Sequence, residues 1–328
     1  MHEVWPTVTV IMPVRNEAAF IARSLGAVLE QDYPPEKVEI IVADGMSDDD
    51  TLSIIQSLPG VDRVTIIENP ERIQSYGLNH ALEHARGDYI IRVDGHTIIA
   101  PDYIKQCVTT LQQTGAANVG GAMNPVGITA FGKAIAAAGK SPFAVPTTFH
   151  HSETACYTDT VYMGAWPRTV FEQIGGFNPQ LVTNQDYELN YRIRANGGAI
   201  YFNPAIQSQY YSRQTLRSLM RQYYRYGRGK VKTLRLHPAS LRPRQVVAPL
   251  FVAGLVSGPV LAILWRPFGI LWLAGITAYL ILSVIFAVRA AQRAADTPPI
   301  WRVMLVFFIM HLAWGVGFWR ELLKPGPL

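Results

Sequence analysis

The chain has 328 residues, of which 49% are hydrophobic and only 16% are charged. The apolar share excludes an intrinsically disordered chain, and the charged share is well below the roughly 25% of an average soluble protein. The net charge is +5, and two cysteines exclude both a disulfide-rich scaffold and a zinc site built from several cysteines.

The first 117 residues alternate between predicted strands and helical patterns. Runs of β-branched and aliphatic residues predict buried strands at Thr7–Met12, Val38–Ala43, Val64–Glu68 and Tyr89–Val93. Strands alternating with helices are typical of βαβ units with a parallel sheet. In such sheets ligands bind at the carboxyl ends of the strands.

Polar residues stand at those carboxyl ends, in Pro13–Glu17, Asp44–Ser47, Asn69–Arg72 and Asp94–His96. The glycine pattern of a dinucleotide-binding Rossmann domain does not follow the first strand. The sequence also lacks a Walker lysine motif and a nucleophile elbow. Carboxylates are therefore the candidate chemical groups of this sheet.

After about residue 117 the pattern is less regular. It predicts a strand at Thr158–Met163, a helix at Asp186–Ala195, a strand at Ala199–Phe202 and a basic, aromatic helix at Thr215–Tyr226. The charge changes sign here as well. Residues 1–188 carry 22 acidic and 11 basic side chains, whereas residues 189–328 carry 2 acidic and 18 basic ones. Such a basic stretch favours an anionic partner.

Three apolar segments without charged residues follow, at about 246–265, 268–288 and 303–319. A helix of 20 residues spans about 30 Å, the thickness of the hydrocarbon core of a bilayer. We therefore predict three transmembrane helices. Because the third segment has only 17 residues, a re-entrant or interfacial segment remains an alternative for it.

The flanking charges predict an orientation in an inner or plasma membrane. Met1–Pro6 lacks the basic region of a signal peptide, so we expect the first 245 residues to stay in the cytoplasm. Basic residues at 213–244, and again between the second and third segments, place both stretches on the cytoplasmic side. With three spans, the C-terminus would lie outside.

Six motifs along the chain resemble, in order, those of the family 2 inverting glycosyltransferases. They are V-T-V-I-M-P-V-R-N-E (8–17), I-I-V-A-D-G-M-S-D-D-D-T (40–51), R-V-D-G-H (92–96), G-G-F-N-P (175–179), N-Q-D-Y-E-L-N-Y-R (184–192) and Q-Y-Y-R-Y-G (222–227). The resemblance covers about residues 5–235 and is strongest to membrane-bound transferases of succinoglycan-type exopolysaccharide assembly.

The resemblance implies a GT-A fold, which is an α/β, Rossmann-like, mainly parallel sheet flanked by helices, followed by the transmembrane helices. Residues 1–212 would form a cytoplasmic catalytic domain. Residues 213–245 would be a basic amphipathic juxtamembrane segment, and residues 246–328 a membrane domain.

The resemblance also implies a nucleotide-sugar site with a divalent cation, Mn²⁺ or Mg²⁺. Asp94 takes the place of the first aspartate of the family's D-x-D motif, and His96 replaces the second. Imidazole suits Mn²⁺ better than Mg²⁺, although His96 can instead donate to phosphate without touching metal. The residues implied to line the nucleotide pocket are Pro13, Arg15, Glu17, Asp44 and Asp94.

An inverting transferase needs one general base, which removes the proton of the acceptor hydroxyl. By resemblance this base is Asp186. Its neighbour is Gln185, where many members of the family have glutamate. We expect Glu188 to point away from the site and to pair with Arg192, four residues further along the same helix.

Gln222, Arg225 and Tyr226 resemble the family's Q-x-x-R-W motif, with tyrosine in place of tryptophan. An aromatic ring can stack on a sugar, and an arginine can hold a diphosphate with two parallel hydrogen bonds. Arginines spaced by three or four residues also suit a helix that lies on anionic lipid. A nucleic-acid partner is not expected, because the basic stretch leads directly into a membrane segment.

These implications predict a membrane-anchored inverting glycosyltransferase. It would move a sugar from a nucleoside diphosphate sugar, with UDP-hexose favoured by the resemblance, to a polyprenyl-linked or other lipid-linked acceptor. Its partners would be the donor, the acceptor, membrane lipids and proteins of polysaccharide assembly. Three alternatives stay open: a polyprenyl-phosphate glycosyltransferase, a processive polysaccharide synthase and a non-catalytic nucleotide-sugar-binding scaffold.

Overall fold

The computed structural model describes residues 5–145 and 152–324 of the chain. These residues form two compact units. The first unit holds residues 5–124 and 152–211, and the second holds residues 125–145 and 212–324. Residues 125–145, which the sequence analysis assigned to the catalytic domain, therefore cluster with the C-terminal part of the chain.

The first unit is built on a mixed sheet whose first four strands are parallel. Strand β1 (Val8–Val14) lies between β2 (Val38–Asp44) and β4 (Tyr89–Arg92), and β2 also pairs with β3 (Val64–Glu68). All seven residues of β1 are buried, as expected for a central parallel strand. The predicted βαβ arrangement is thus confirmed.

Strand β1 continues through Pro13, where the sequence analysis ended it. The amide of Val93 donates to the carbonyl of Ile11, so the odd-numbered residues of β1 face β4. Strand β4 ends at Arg92, with its last register pair at Ile11. Pro13, which has no amide hydrogen, therefore lies just beyond the point where β4 would need one.

Beyond β4 the sheet also contains antiparallel pairs. Strand β8 (Ala165–Pro167) pairs with β4, and β6 (Asn118–Val126) pairs with β8. The long strand β9 (Ile200–Tyr211) pairs with β5 (Thr97–Ile99) and with β7 (Cys156–Tyr157). Among the described residues the strand order is β3-β2-β1-β4-β8-β6-β9-β5, with β7 on β9.

Two predictions for this half were wrong. Residues 158–163 form no strand, and β9 continues nine residues beyond Phe202, to Tyr211. From Ile206 the buried side chains of β9 alternate with exposed ones, which is the pattern of a half-buried strand. Asn203 and Pro204 interrupt this pattern in the sequence, which made the strand look shorter than it is.

The α-helices of the described residues are α1 (Ile21–Leu29), α2 (Thr51–Gln56), α3 (Gln74–His84), α4 (Tyr103–Thr114), α5 (Ala130–Gly139), α6 (Arg168–Ile174), α7 (Gln185–Ala195), α8 (Leu216–Leu236), α9 (Val247–Leu264), α10 (Arg266–Arg293) and α11 (Ile300–Leu322). Helices α1 to α4 follow the strands of the first unit. Helix α1 buries Ile21, Leu25 and Val28, spaced by three or four residues, against the sheet.

The second unit is helical. Residues of α5, α8, α10 and α11 share one apolar cluster, which includes Ala134, Leu219, Ala287, Val303 and Phe307. Helix α8 is ten residues longer at its C-terminal end than predicted, because it continues through Gly227 and Gly229. Both glycines are buried.

Three helical segments of the described residues are long and apolar enough to cross a membrane: Pro243–Leu264, Arg266–Arg293 and Ile300–Leu322. The second and third contain the predicted segments 268–288 and 303–319, and the first covers the predicted segment 246–265 except for its last residue. The share of buried residues in their most apolar stretches is 17%, 11% and 39%, respectively, so the third is the most enclosed by protein.

Candidate active site

Two predicted site residues, Asp94 and Asp186, are linked by the side chain of Arg92. Arg92, the last residue of β4, is 2% exposed. Its Nε donates to Asp94 Oδ1 at 2.7 Å and its Nη2 donates to Asp94 Oδ2 at 3.2 Å. Its Nη1 donates to the carboxylate of Asp186. One guanidinium therefore links the D-x-D position to the predicted base.

Two glutamines extend this arrangement. Gln74, the first residue of α3, donates from its amide to Asp94 Oδ1 at 3.3 Å. Gln185 donates to the side-chain oxygen of Gln74 at 2.7 Å. Gln185 and Asp186 are neighbours in the chain, so the backbone between them closes a ring of hydrogen-bonded side chains. The ring contains Arg92, Asp94, Gln74, Gln185 and Asp186. The amide of Gln185 thus takes part in positioning, at the place where a glutamate could not donate.

Burial sets the electrostatics of this cluster. It lowers the pKa of Arg92, but the Asp186 and Asp94 carboxylates outweigh this effect and raise the pKa further, so Arg92 stays charged. Burial raises the pKa of the Asp186 carboxyl; Arg92 opposes this rise and Asp94 adds to it. One arginine against two carboxylates leaves the cluster with one net negative charge, which suits a cationic partner.

The ends of β1 and β2 form a second polar region. Asp44 is buried, and its carboxylate accepts hydrogen bonds from the amide and the hydroxyl of Ser47, at 3.0 and 2.6 Å. Asn16 has a positive φ of 54° and exchanges hydrogen bonds with Asp48. Pro13 is buried, whereas Arg15 is exposed with its Nη1 3.4 Å from the carbonyl of Arg72.

Glu17 and His96 meet each other. The Nδ1 atom of His96 lies 2.8 Å from Glu17 Oε1. A carboxylate held against one ring nitrogen is one of the arrangements that fix the ring of metal-ligating histidines. The sequence analysis placed Glu17 at the nucleotide and left the role of His96 open, so this pairing was not foreseen.

The donor set fits a cation only if the ligand supplies further oxygens. Among residues 5–145 and 152–324, no three His, Cys, Asp or Glu side chains gather closely enough to hold a metal ion. Asp94 and His96 offer one hard and one softer ligand. Diphosphate oxygens would complete such a set, as is usual where Mg²⁺ is shared between a protein and a phosphate.

The other predicted residues are placed as follows. Glu188 is buried and pairs with Arg192 at 2.7 Å, as predicted. Gln222, Arg225 and Tyr226 lie on α8 in the second unit, where Gln222 donates to the Tyr226 hydroxyl at 2.8 Å. Their contact with a substrate stays a prediction.

The sequence analysis gave no role to Arg92 or Gln74. Arg92 was visible as the first letter of R-V-D-G-H, and an arginine that ends an apolar strand two residues before an aspartate could have been a signal, because arginine is seldom buried without a partner. Gln74 carries no comparable signal, because it opens an ordinary helix. Its position follows only from the packing of α3 against β1 and β2.

Comparison with known proteins shows the family of this chain. Residues 9–144 match the family model "Glycosyl transferase family 2", and residues 89–320 match "Glycosyl transferase family group 2". The chain belongs to glycosyltransferase family 2. It is therefore a glycosyltransferase, in which Arg92 ends β4, Asp94 follows that strand and Asp186 lies in the first turn of α7.

Relatives align with this family 2 chain over nearly its whole length. The succinoglycan biosynthesis protein ExoA of Rhizobium meliloti (strain 1021) is 34% identical, over 96% of this chain and 94% of that protein. A Methanococcus voltae protein, named dolichyl N-acetyl-alpha-D-glucosaminyl phosphate 3-beta-D-2,3-diacetamido-2,3-dideoxy-beta-D-glucuronosyltransferase, is 25% identical, over 97% of each chain. Both support action in exopolysaccharide or lipid-linked glycan synthesis.

A solved structure confirms the fold. The mannosyltransferase PcManGT from Pyrobaculum calidifontis, in complex with GDP-Man and Mn²⁺, matches with a TM-score of 0.63. The match covers 95% of this chain and 88% of that one, at 19% identity. At this identity the likeness shows the fold, and the predicted GT-A architecture is confirmed.

Proposed function

We propose that this family 2 enzyme is membrane-anchored and transfers a hexose, with inversion, from a nucleoside diphosphate sugar to a lipid-linked acceptor. The observation that carries the proposal is the bridge of Arg92 between Asp94 and Asp186. It holds a carboxylate suited to the donor side and a carboxylate suited to the acceptor within one buried cluster.

The proposed base is Asp186. It lies near the start of α7, and 29% of its side chain is exposed, so an acceptor hydroxyl can reach it. Burial raises the pKa of the Asp186 carboxyl towards neutral pH, and a general base is most effective when its pKa is near the working pH. The acceptor oxygen would give its proton to Asp186 as it attacks the anomeric carbon from the side opposite the leaving diphosphate.

The proposed donor site uses the ends of β1, β2 and β4. Pro13, Arg15 and Asp44 would line the nucleotide, with Asp44 accepting a hydrogen bond from the ribose or base. Asp94 and His96, the latter oriented by Glu17, would hold Mn²⁺ or Mg²⁺. The cation would stabilise the negative charge of the leaving diphosphate. The net negative charge of the Arg92 cluster supports a cation there.

The proposed acceptor is lipid-linked, on a membrane that α9 and α10 enter. The name of the relative from Methanococcus voltae contains dolichyl N-acetyl-alpha-D-glucosaminyl phosphate, a sugar already joined to a lipid, which supports this class of acceptor. Gln222, Arg225 and Tyr226 would hold the acceptor phosphate or diphosphate. The positive-inside bias of the basic segments puts the catalytic unit on the cytoplasmic side of the cell membrane.

The proposal is tested by transfer of label from nucleotide sugars into lipid. Membranes holding the wild type, Asp186→Asn or Asp62→Asn are incubated with a panel of labelled UDP- and GDP-sugars and Mn²⁺ or Mg²⁺. Asp62 is an exposed acid on another part of the unit and is the matched control. We expect label in the lipid extract for the wild type and for Asp62→Asn, but not for Asp186→Asn.

Mild acid then separates the two classes of lipid acceptor. A sugar joined to an existing lipid-linked saccharide leaves as part of an oligosaccharide, whereas a sugar joined directly to polyprenyl phosphate leaves as a monosaccharide. Release of an oligosaccharide supports the proposal. A labelled monosaccharide would establish the alternative, and donor binding without any turnover would point to a scaffold.

A further inference from the structure

We propose that α11 does not cross the bilayer but lies along its surface beside α8, so that only α9 and α10 span it. The chain would then end on the same side of the membrane as the segment that precedes α9. The proposal rests on the membrane attachment proposed above. It also resolves the alternative that the short third apolar segment left open.

Helices α8 and α11 run side by side over their whole length. Their backbones approach closely at two glycines: a Cβ on Gly227 would lie 2.0 Å from the Trp314 carbonyl oxygen, and one on Gly317 would lie 2.1 Å from that of Tyr224. In order along both helices, the contacts join Leu219 to the cluster of Val303 and Val306, Gly227 to Trp314, Arg228 to Glu321, and Arg235 to Lys324. The two helices therefore share one direction and one depth.

The charges of α8 indicate whether the two helices lie in the hydrocarbon core or at the membrane surface. Its 21 residues carry seven arginines and lysines and no acid. Arg217, Arg221 and Arg225 are exposed. If α11 crossed the hydrocarbon core, these side chains would have to cross with it, and charged groups at mid-bilayer are strongly unfavourable. At the membrane surface the same side chains meet lipid phosphates, which favour them.

The contacts of α11 with the two spanning helices point to the same layer. They fall on the first residues of α9, where Gly315 lies against the Ala248 carbonyl and Trp319 donates to the Pro249 carbonyl at 2.8 Å. On α10 they begin at the middle of the helix, where His311 Nδ1 lies 3.1 Å from the Tyr279 hydroxyl, and continue into its second half, where Ala287 and Ala290 share a cluster with Val303. Since α9 and α10 are joined at residue 265, these positions all lie away from the turn.

The remaining half of the hairpin is open to its surroundings. Val256, Ile263 and Ile270, on both sides of the turn, are 74%, 85% and 72% exposed. Such apolar exposure suits the lipid core. Helix α11 has a narrower apolar stripe at Trp301, Phe308 and Val316, spaced by seven and eight residues, and Leu323 continues it just beyond the helix. One stripe on one face is typical of a helix lying in the interface, and a bilayer is the partner that fits both surfaces.

The test is the side from which two single cysteines react. Trp265→Cys lies at the hairpin turn and Leu323→Cys just beyond α11, both exposed. Each is placed in a Cys156→Ser background, which retains only the buried Cys107. Right-side-out vesicles are treated with a membrane-impermeant maleimide before and after permeabilisation. We expect position 265 to react before permeabilisation. Position 323 should react at least tenfold more after permeabilisation than before it.

Each other outcome overturns a distinct claim. Reaction of position 323 in sealed vesicles would show that α11 crosses, while membrane attachment would stand. Protection of position 265 would show that the hairpin does not cross, and both this proposal and the membrane attachment would fail. A C-terminal tag on the otherwise unchanged chain gives a second readout: protease should remove it in inside-out vesicles and spare it in right-side-out ones.

Discussion

The two units of this glycosyltransferase handle charge in opposite ways. In the first, Arg92 is enclosed with two carboxylates, and the cluster is left net negative. In the second, α8 carries seven basic residues and meets a single acid of α11, Glu321. We infer that the first unit suits a bound cation and a carboxylate that accepts a proton. The second unit suits anionic lipids and phosphate groups.

The packing differs in the same sense. The sheet of the first unit is filled by aliphatic side chains of β1, β2 and α1, such as Ile11, Val42 and Leu25. The helices of the second approach through glycines, at Gly227 and Gly317, and through an aromatic group around Phe143 and His311. Close backbone approach through small residues is typical of helices in and at membranes.

The largest expected effect is on the chemistry of the first unit alone. Asp186→Asn keeps the shape of the side chain but cannot take a proton, so transfer should fall by about 10² to 10⁴, the usual contribution of a general base. Nucleotide binding, measured by calorimetry, should change by less than about twofold. Turnover near the wild-type rate would remove Asp186 from the mechanism.

Arg92→Met sharpens the electrostatic side of the comparison. It leaves Asp94 and Asp186 facing each other without their shared cation, and removing one partner of a buried ion pair costs about 3–5 kcal/mol. The matched control is Arg168→Met, which breaks an exposed pair with Glu172 and should cost less than about 1 kcal/mol. Denaturant unfolding of the purified variants in detergent gives both values, and equal losses would contradict the assigned role.

Gly227→Ala tests the packing of the second unit. The added methyl would collide with the Trp314 carbonyl, and such overpacking costs about 1–3 kcal/mol. Gly254→Ala is the control, because a methyl there meets nothing within 4 Å. Thermal unfolding in detergent should separate the two variants, while donor binding stays unchanged in both. Similar midpoints would show that α8 and α11 are not held this closely.

The smallest effect is on the pH profile. Asp186 accepts a proton only when ionised, and its pKa is raised by burial. Transfer should therefore decline on the acid side at a pH above the ordinary aspartate range, about tenfold per pH unit below the pKa. The profile of kcat/KM against pH for the wild type checks this, because it reports the groups of the free enzyme. Activity that persists unchanged down to the pKa of a free aspartate would contradict the burial argument.

Sequence patterns predicted the parallel half of the sheet because its strands contain runs of aliphatic residues, as at Ile40–Ala43. The other strands were harder to predict, since β7 and β8 have two and three residues and carry no period. The site followed the same division. Asp94 and Asp186 stand in motifs, whereas the links through Arg92, Gln74 and Gln185 depend on side-chain packing between distant segments.

The placement of α5 in the helical unit could not be predicted either. Its apolar content alone does not show which helices it packs against. Only the shared cluster with α10 and α11 shows what Ala134, Ile135 and Ala138 pack against. Sequence period gives the buried face of a helix, but not its partner.

The central claim is that one carboxylate, Asp186, takes the acceptor proton in a single displacement at the anomeric carbon. The most direct test is the anomeric configuration of the sugar in the lipid product, determined by NMR after transfer from an α-linked nucleotide sugar. A single displacement predicts a β-linked product. An α-linked product would require either two displacements or a different attack geometry, and would contradict the role given to Asp186.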